Sequence, residues 1–231
     1  MEIIAEIGQN HNGDMGLARE LIRAAADNGA EVAKFQVYDA RALFPRDGNP
    51  WFDYNCSTEL SRAQIELLAR ECADAKIEFM ASVFDVERVD WLEAVGVRRY
   101  KVASRSIADT ALWNRLAATG KPVLASLGWW KEPQFPQVPA AAVEFLYCIS
   151  KYPTPLEDLH LASVDFRRYR GFSDHTVGIS AAVAAFALGA AIIEKHFTLD
   201  KTMYGPDHEG SMTPDELRTL AGMRDDIRLS L

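Results

Sequence analysis

Short apolar runs alternate with longer stretches of helical periodicity along this chain. The apolar runs are Ile3–Ile7, Val32–Val37, Ile77–Val83, Tyr100–Ala103, Val123–Leu127, Val143–Cys148, Tyr169–Phe172 and Ala191–Phe197. Most are nearly continuous in apolar character, as parallel strands covered on both faces must be. Between many of them, apolar residues recur on one helical face: Leu17, Leu21, Ile22 and Ala25; Ile65, Leu68, Ala69 and Cys72; Ala181, Ala184, Ala185 and Leu188. Gly29, Gly120 and Gly189 follow helical stretches, a position that favours glycine because the chain leaves the helix in a left-handed conformation. Thr213 and Pro214 suit the N-cap and first position of a last helix. Eight strand–helix repeats without a break in composition predict an α/β fold, a single (β/α)8 TIM barrel over residues 1–231.

The pattern has two irregular places. Residues 129–139 read WWKEPQFPQVP, and three prolines leave no room for a full crossover helix, so the fifth helix is expected to be short or missing. Trp129, Trp130 and Phe135 would then either stand exposed on the bare barrel wall or fold back to plug it. The segment Phe44–Thr58 reads as a long loop after the second strand, on the side of a barrel where function gathers.

A length of 231 residues is compact for this fold, which takes about 250. The net charge of −8 argues against a nucleic-acid partner, while leaving room for an anionic substrate held by a few lysines. Cys56, Cys72 and Cys148 are odd in number and unpaired in spacing, as expected of reduced thiols in the cytoplasm. The acidic, glycine-containing start is no signal peptide, and the Ala-rich stretch Ile179–Ile193 is too short for a membrane span.

Polar residues recur at the ends of the apolar runs. Glu6 closes the first, Lys34 and Gln36 lie in the second, Ser82 in the third, Lys101 and Ser104 at the fourth, and Ser126 at the fifth. Ser150 follows the sixth, Ser173-Asp174-His175 close the seventh, and Glu194, Lys195 and His196 lie in the eighth. One such residue means little, but eight strands that all end in polar chemistry form the pattern of a barrel active site. A lone histidine reads first as a satisfied core or surface residue. His175 and His196, however, end neighbouring strands about 4.8 Å apart, where two imidazoles could meet one divalent cation and leave positions for water and substrate. Lys34 and Lys101 could hold a phosphate or carboxylate, with Ser82, Ser104, Ser126 and Ser173 donating to the same anion. The plainer reading pairs the lysines with Glu6 or Glu194. Tyr152-Pro153-Thr154-Pro155 reads as a rigid turn and Gly205-Pro206 as a loop, with Asp207 either facing the site or capping.

The segments Ala5–Gly13 (AEIGQNHNG), Lys34–Gln36 (KFQ), Tyr152–Pro155 (YPTP), Gly171–Thr176 (GFSDHT), Glu194–Thr198 (EKHFT) and Gly205–His208 (GPDH) together resemble the sialic acid synthase family over the whole chain. The resemblance implies a condensation of phosphoenolpyruvate with an aldehyde sugar such as N-acetylmannosamine, giving a 2-keto sugar acid and phosphate. It implies that His175 and His196 hold a divalent metal, usually Mn2+, with Mg2+ or Co2+ as alternatives, which polarises the sugar aldehyde. Lys34, Lys101, Ser104, Ser126 and Ser173 match phosphoenolpyruvate contacts, and Ser82 stands where threonine is common. Glu6, Tyr152 and Asp207 match groups around the sugar and the metal-bound water.

Three departures bear on the sugar. Familiar full-length members continue into an antifreeze-like domain that reaches over a partner's site, whereas this chain carries the barrel alone. A homodimer, or another protein closing the site, is therefore expected, with weak action of the isolated chain on N-acetylmannosamine. Ser106 replaces the carboxylate usual two residues after Ser104, and Arg105 adds a cation that would suit a smaller or anionic aldehyde. The curtailed fifth helix is the third. A catalytically weak binding or regulatory module is the remaining alternative, against which the retained histidines and lysines speak.

Overall fold

The computed structural model describes residues 1–140 and 142–230. All eight apolar runs supply strands, and these close into a parallel barrel in sequence order. They are β1 (Glu2–Gly8), β2 (Val32–Val37), β3 (Glu78–Val83), β4 (Tyr100–Val102), β5 (Val123–Ser126), β6 (Val143–Cys148), β7 (Gly171–Asp174) and β8 (Ile192–His196). β1 pairs with both β2 and β8, which closes the ring. The helices are α1 (Met15–Asp27), α2 (Ala40–Leu43), α3 (Phe52–Ser57), α4 (Arg62–Asp74), α5 (Val86–Ala94), α6 (Thr110–Thr119), α7 (Ser180–Ala187) and α8 (Pro214–Ser230).

Strand alternation divides the apolar residues into two cores. Ile3, Ala5, Phe35, Phe79, Val102, Phe172 and Ile193 point outward and pack beneath the helices in one large buried cluster. Ile4, Val32, Met80, Leu124, Leu146 and Ile192 form a separate cluster. These are the inward positions of the strands, so they plug the lower barrel as a packed layer. The next inward positions, two residues on, are the polar ones, from Glu6 and Lys34 round to Ser173 and Glu194. Because side chains alternate with period two, the greasy plug and the polar layer above it come from the same strands.

Helix ends behave as their sequences dictate. Gly120 caps α6 at φ 68°, and Gly29 and Gly189 follow α1 and α7 at φ 94° and 101°. Thr213 and Glu216 cap α8 reciprocally, the Thr213 N–H donating to Glu216 Oε2 at 2.9 Å and the Glu216 N–H reaching Thr213 Oγ1 at 3.4 Å.

The irregular places resolve with three corrections. The fifth crossover has no helix among the described residues, as expected, and Phe135 folds back into the gap. Its ring lies 4.8 Å from both Phe145 and Tyr169, with the Arg168 guanidinium 4.7 Å away. Trp130 is anchored through Nε1 to the Gln134 carbonyl, while Trp129 stays exposed. The irregularity does not stop there, however. The crossover from β6 to β7 also has no α-helix, only 3-10 turns at Leu156–Asp158 and Leu161–Ser163. Pro153 and Pro155 stand at its start, and His160 at φ 47° breaks the chain direction between the two turns. The seventh strand begins at Gly171 rather than Tyr169. Gly171 faces β8 so closely that a Cβ would lie 2.0 Å from the Ile192 carbonyl oxygen, and Tyr169 packs outside against Phe135. The segment Phe44–Thr58 is not all loop, since α3 forms within it and places Tyr54 and Asn55 against the β1 loop.

Candidate active site

The polar layer opens into a pocket at the C-terminal mouth of the barrel. Glu6, Lys34, Ser82, Lys101, Ser104, Ser126, Tyr152, Ser173, His175 and His196 all line it. Asp207 is the one candidate outside it, in a groove that continues from the histidines. Gln36, Phe84, Cys148 and Glu194 also line the pocket. Cys148 was legible as the inward residue after Leu146 on β6, but a lone thiol in an apolar run reads as core.

Four charges are buried together here. Lys34 Nζ lies 2.6 Å from Glu6 Oε2 and 3.5 Å from Glu194 Oε2, and donates to Ser82 Oγ at 2.9 Å. Burial would lower its pKa, but the carboxylates of Glu194 and Glu6 outweigh burial and raise it. Lys101 Nζ has less, with Glu194 Oε1 at 3.3 Å and the Val102 carbonyl at 3.4 Å. Burial therefore prevails and depresses its pKa. Glu194 also accepts from Ser173 Oγ at 2.8 Å. Burial pushes its carboxyl up, but Lys101 and Lys34 hold it down at about 2. The plainer reading of the lysines thus holds in part, since both are paired with glutamates. Lys101 nevertheless keeps donors that only long contacts occupy, and the buried Ser126 hydroxyl has no partner among the described residues. Buried polar groups are rarely left so, and an anion beside Lys101 and Ser126 would satisfy both. Ser104 accepts from the Gly128 N–H at 2.9 Å, which ties the β4 and β5 loops together at this place.

The two histidines face one another with ring centroids 5.9 Å apart. His175 sits between anchored neighbours. Asp174 accepts from the Thr176 N–H at 2.8 Å and from Lys195 Nζ at 3.0 Å, and Lys195 also donates to the Thr176 carbonyl at 2.6 Å. His175 Nδ1 is 2.8 Å from the Ile149 carbonyl, which only a protonated Nδ1 can serve. Its Nε2 therefore carries the lone pair. His196 Nδ1 is buried without a hydrogen bond among the described residues and stands 3.9 Å from Asp207 Oδ2. Tyr152, next to the cis peptide Tyr152–Pro153, lays its ring 4.1 Å from that of His175. Two imidazoles, one with its Nδ1 engaged by a carbonyl and one with an orphaned Nδ1, fit a borderline divalent cation. Among the described residues no set of three His, Cys, Asp or Glu surrounds such a site, so the protein's share would be two ligands.

The loops above the site are pinned by a polar clasp that sequence reasoning did not find. Asn12 Oδ1 accepts from Tyr54 Oη at 2.7 Å and from His208 Nε2 at 3.2 Å, and His208 Nδ1 is 2.7 Å from Thr198 Oγ1. Asn10 Nδ2 donates to the Phe197 carbonyl and to Ser211 Oγ, each at 2.9 Å. These contacts lock the β1 and β8 loops together across nearly 200 residues of sequence. Arg105, by contrast, turns away from the pocket. It donates to the Leu43 carbonyl at 3.1 Å and lies 5.2 Å from the Phe44 ring.

A parallel eightfold barrel with charged and imidazole side chains gathered at the carboxyl ends of its strands belongs to the class of TIM-barrel enzymes. The particular family emerges from comparison with known proteins. Residues 21–231 match the model of the NeuB family, and the chain belongs to that family. It is similar to the N,N'-diacetyllegionaminic acid synthase of Campylobacter jejuni, 34% identical over 245 residues, covering 94% of this chain and 73% of that one. The human N-acetylneuraminate-9-phosphate synthase is 34% identical over 242 residues, covering 94% and 67%. Among solved structures, the N-acetylneuraminic acid (sialic acid) synthetase of Leptospira borgpetersenii superposes with a TM-score of 0.89 at 32% identity, covering 99% of this chain and 84% of that one. No helix among the described residues is long and apolar enough to cross a membrane.

Proposed function

We propose that this barrel condenses phosphoenolpyruvate with an aldehyde sugar to give a sialic-acid-like 2-keto sugar acid and phosphate. The observation that carries this reading is the juxtaposition, in one pocket, of an under-satisfied buried cation with two facing imidazoles. In the balanced reaction, C3 of phosphoenolpyruvate bonds to the aldehyde carbon and the aldehyde oxygen takes up a proton. Water adds at C2, and the bond from C2 to the phosphate oxygen breaks. Lys101, Ser126 and Ser104 line the part of the pocket assigned to the anion, with Lys34, Ser82 and Ser173 beside them in the same polar layer. A divalent cation, Mn2+ first and Mg2+ or Co2+ as alternatives, would be held by His175 and His196, where the chemistry it supplies is Lewis-acid polarisation of the aldehyde. Glu6 lines the pocket with its carboxyl held at both oxygens, Oε1 accepting from Gln36 Nε2 at 3.1 Å and Oε2 paired with Lys34 at 2.6 Å. Asp207, whose Oδ2 lies 3.9 Å from His196 Nδ1, would take or return a proton at the aldehyde oxygen through one water. Tyr152 orients the acceptor over His175.

Purified chain given Mn2+, phosphoenolpyruvate and a panel of aldehyde sugars should release phosphate only when a sugar is present, and a chelator should stop it. Phosphate release that ignores both sugar and chelator would overturn the reading. Lys101→Met should raise the KM for phosphoenolpyruvate about tenfold or more, the worth of about 1.5–3 kcal/mol for a hydrogen bond to a charged group. An unchanged KM would remove Lys101 from the anion site.

A further inference from the structure

A second cavity, of about 400 Å³, lies on the outer side of the catalytic pocket's wall. It opens where the crossovers from β5 to β6 and from β6 to β7 both lack an α-helix among the described residues. Trp130, Tyr147 and Tyr169 line it. Each of the three is fixed by contacts of its own. Trp130 Nε1 donates to the Gln134 carbonyl at 2.7 Å, Tyr147 Oη donates to the Leu159 carbonyl at 2.7 Å, and the Tyr169 ring lies 4.8 Å from that of Phe135. A ligand would therefore meet aromatic walls that are already ordered, which lowers the cost of binding. The volume is of the size that takes a small molecule.

The polar lining is equally specific. Lys131 is exposed, lines the cavity and makes no ion pair among the described residues. Asp158 lines it too, but Lys151 Nζ at 2.9 Å already balances its charge. The cavity thus offers an uncommitted cation in a chain whose net charge is −8. The exposed His160 ring adds a group that can donate or accept. Aromatic faces, a free ammonium and a carboxylate acceptor together match a hydroxylated ring that carries one anionic group.

The floor of this cavity is the wall of the catalytic pocket. Cys148 lines both. Gly128 lines the outer cavity and donates its N–H to Ser104 Oγ at 2.9 Å, in the part of the catalytic pocket assigned to the anion. The wall has no slack, since a Cβ on Gly128 would lie 2.3 Å from Ser150 Oγ and 3.0 Å from Cys148 Sγ. Pressure on Gly128 from outside is passed on to Ser104.

We infer that the outer cavity binds a sugar acid, and that its occupancy weakens the binding of phosphoenolpyruvate through Gly128 and Ser104. The carboxylate pairs with Lys131, the ring lies on the aromatic walls, and hydroxyls donate to Asp158. The binding stands apart from the condensing reading proposed above, whereas the effect on phosphoenolpyruvate rests on it. Under that reading the product is itself a sugar acid, so the cavity would make the barrel responsive to its own output.

The test is calorimetric titration of the purified chain with N-acetylneuraminate. Binding should persist in Lys101→Met and weaken about tenfold or more in Lys131→Glu, which loses a charge-assisted contact. N-acetylmannosamine, which has no carboxylate, should bind the wild type about tenfold more weakly. Because Lys131 is exposed and unpaired, Lys131→Glu should leave the melting temperature and the basal turnover unchanged. Saturating N-acetylneuraminate should raise the Kd of phosphoenolpyruvate about fivefold or more in the wild type, a coupling of ordinary size, and leave it nearly unchanged in Lys131→Glu. Undetectable binding, or equal binding of the neutral sugar, would overturn the inference. So would binding lost in Lys101→Met and kept in Lys131→Glu, which would put the sugar acid in the catalytic pocket, or a phosphoenolpyruvate Kd that shifts equally in Lys131→Glu. Failure of phosphoenolpyruvate to bind at all would strike the condensing reading and the coupling with it, while the dependence of sugar-acid binding on Lys131 is read separately.

Discussion

His175→Ala and His196→Ala are each expected to lower turnover at least about 1,000-fold while leaving the barrel folded. The magnitude comes from losing several kcal/mol of charge stabilisation at the reacting carbonyl, at 1.36 kcal/mol per factor of ten. The structure explains why the fold should survive. His196 Nδ1 makes no hydrogen bond among the described residues, and His175→Ala removes one hydrogen bond to the Ile149 carbonyl, a long contact to Cys148 Sγ and the stacking of Tyr152. The turn that carries His175 is held independently by Asp174, Thr176 and Lys195. Steady-state rates, with melting curves taken with and without added Mn2+, provide the check. In the wild type Mn2+ should raise the melting temperature, because a ligand that binds only the native state stabilises it, and in either variant that rise should shrink. Full turnover in either variant, or an undiminished Mn2+ shift in both, would remove the pair from the metal role.

Glu194→Ala should destabilise the protein by about 3–5 kcal/mol, a large share of the stability of an ordinary domain. Glu194 stands between two buried ammonium groups, 3.3 Å from Lys101 and 3.5 Å from Lys34. Glu6 still compensates Lys34 at 2.6 Å, but nothing else of opposite charge approaches Lys101 within 4 Å among the described residues. Truncation therefore leaves an unpaired buried charge, which costs far more than the pair itself contributes. The signature of this cause is non-additivity: Lys101→Met in the Glu194→Ala background should recover much of the loss, whereas independent sites would add. Chemical denaturation of the four proteins measures it. Simple additivity would mean that Glu194 acts through packing or through Ser173 instead.

The strands, their order of use and the polar residues at their ends were set by local chemistry, and so were legible in the sequence. Continuous apolar runs suit parallel strands buried on both faces, and in the closed barrel side-chain alternation carries Glu6, Lys34, Lys101 and Glu194 inward above the apolar plug of Ile4, Val32 and Leu124. The pairing of His175 with His196 came from the adjacency of the last two strands. Proline likewise announced the missing fifth helix. The missing helix after β6 was harder to see because His160 takes a left-handed conformation that histidine only occasionally adopts, and because the apolar residues of that segment read as well for a helix as for turns. Phe135 could plug the gap or face solvent until Tyr169 and Phe145 were in place beside it. Only tertiary structure decided which lysine is satisfied. Lys34 and Lys101 look alike along the chain, and their difference is a matter of how many carboxylates the closed barrel brings within reach of each. It also decided that Arg105 points away from the site, and that the loops holding Asp207 and Glu209 are fastened by Asn10 and Asn12. Those contacts join residues nearly 200 apart, and no local pattern encodes a distance that exists only once the ring has closed.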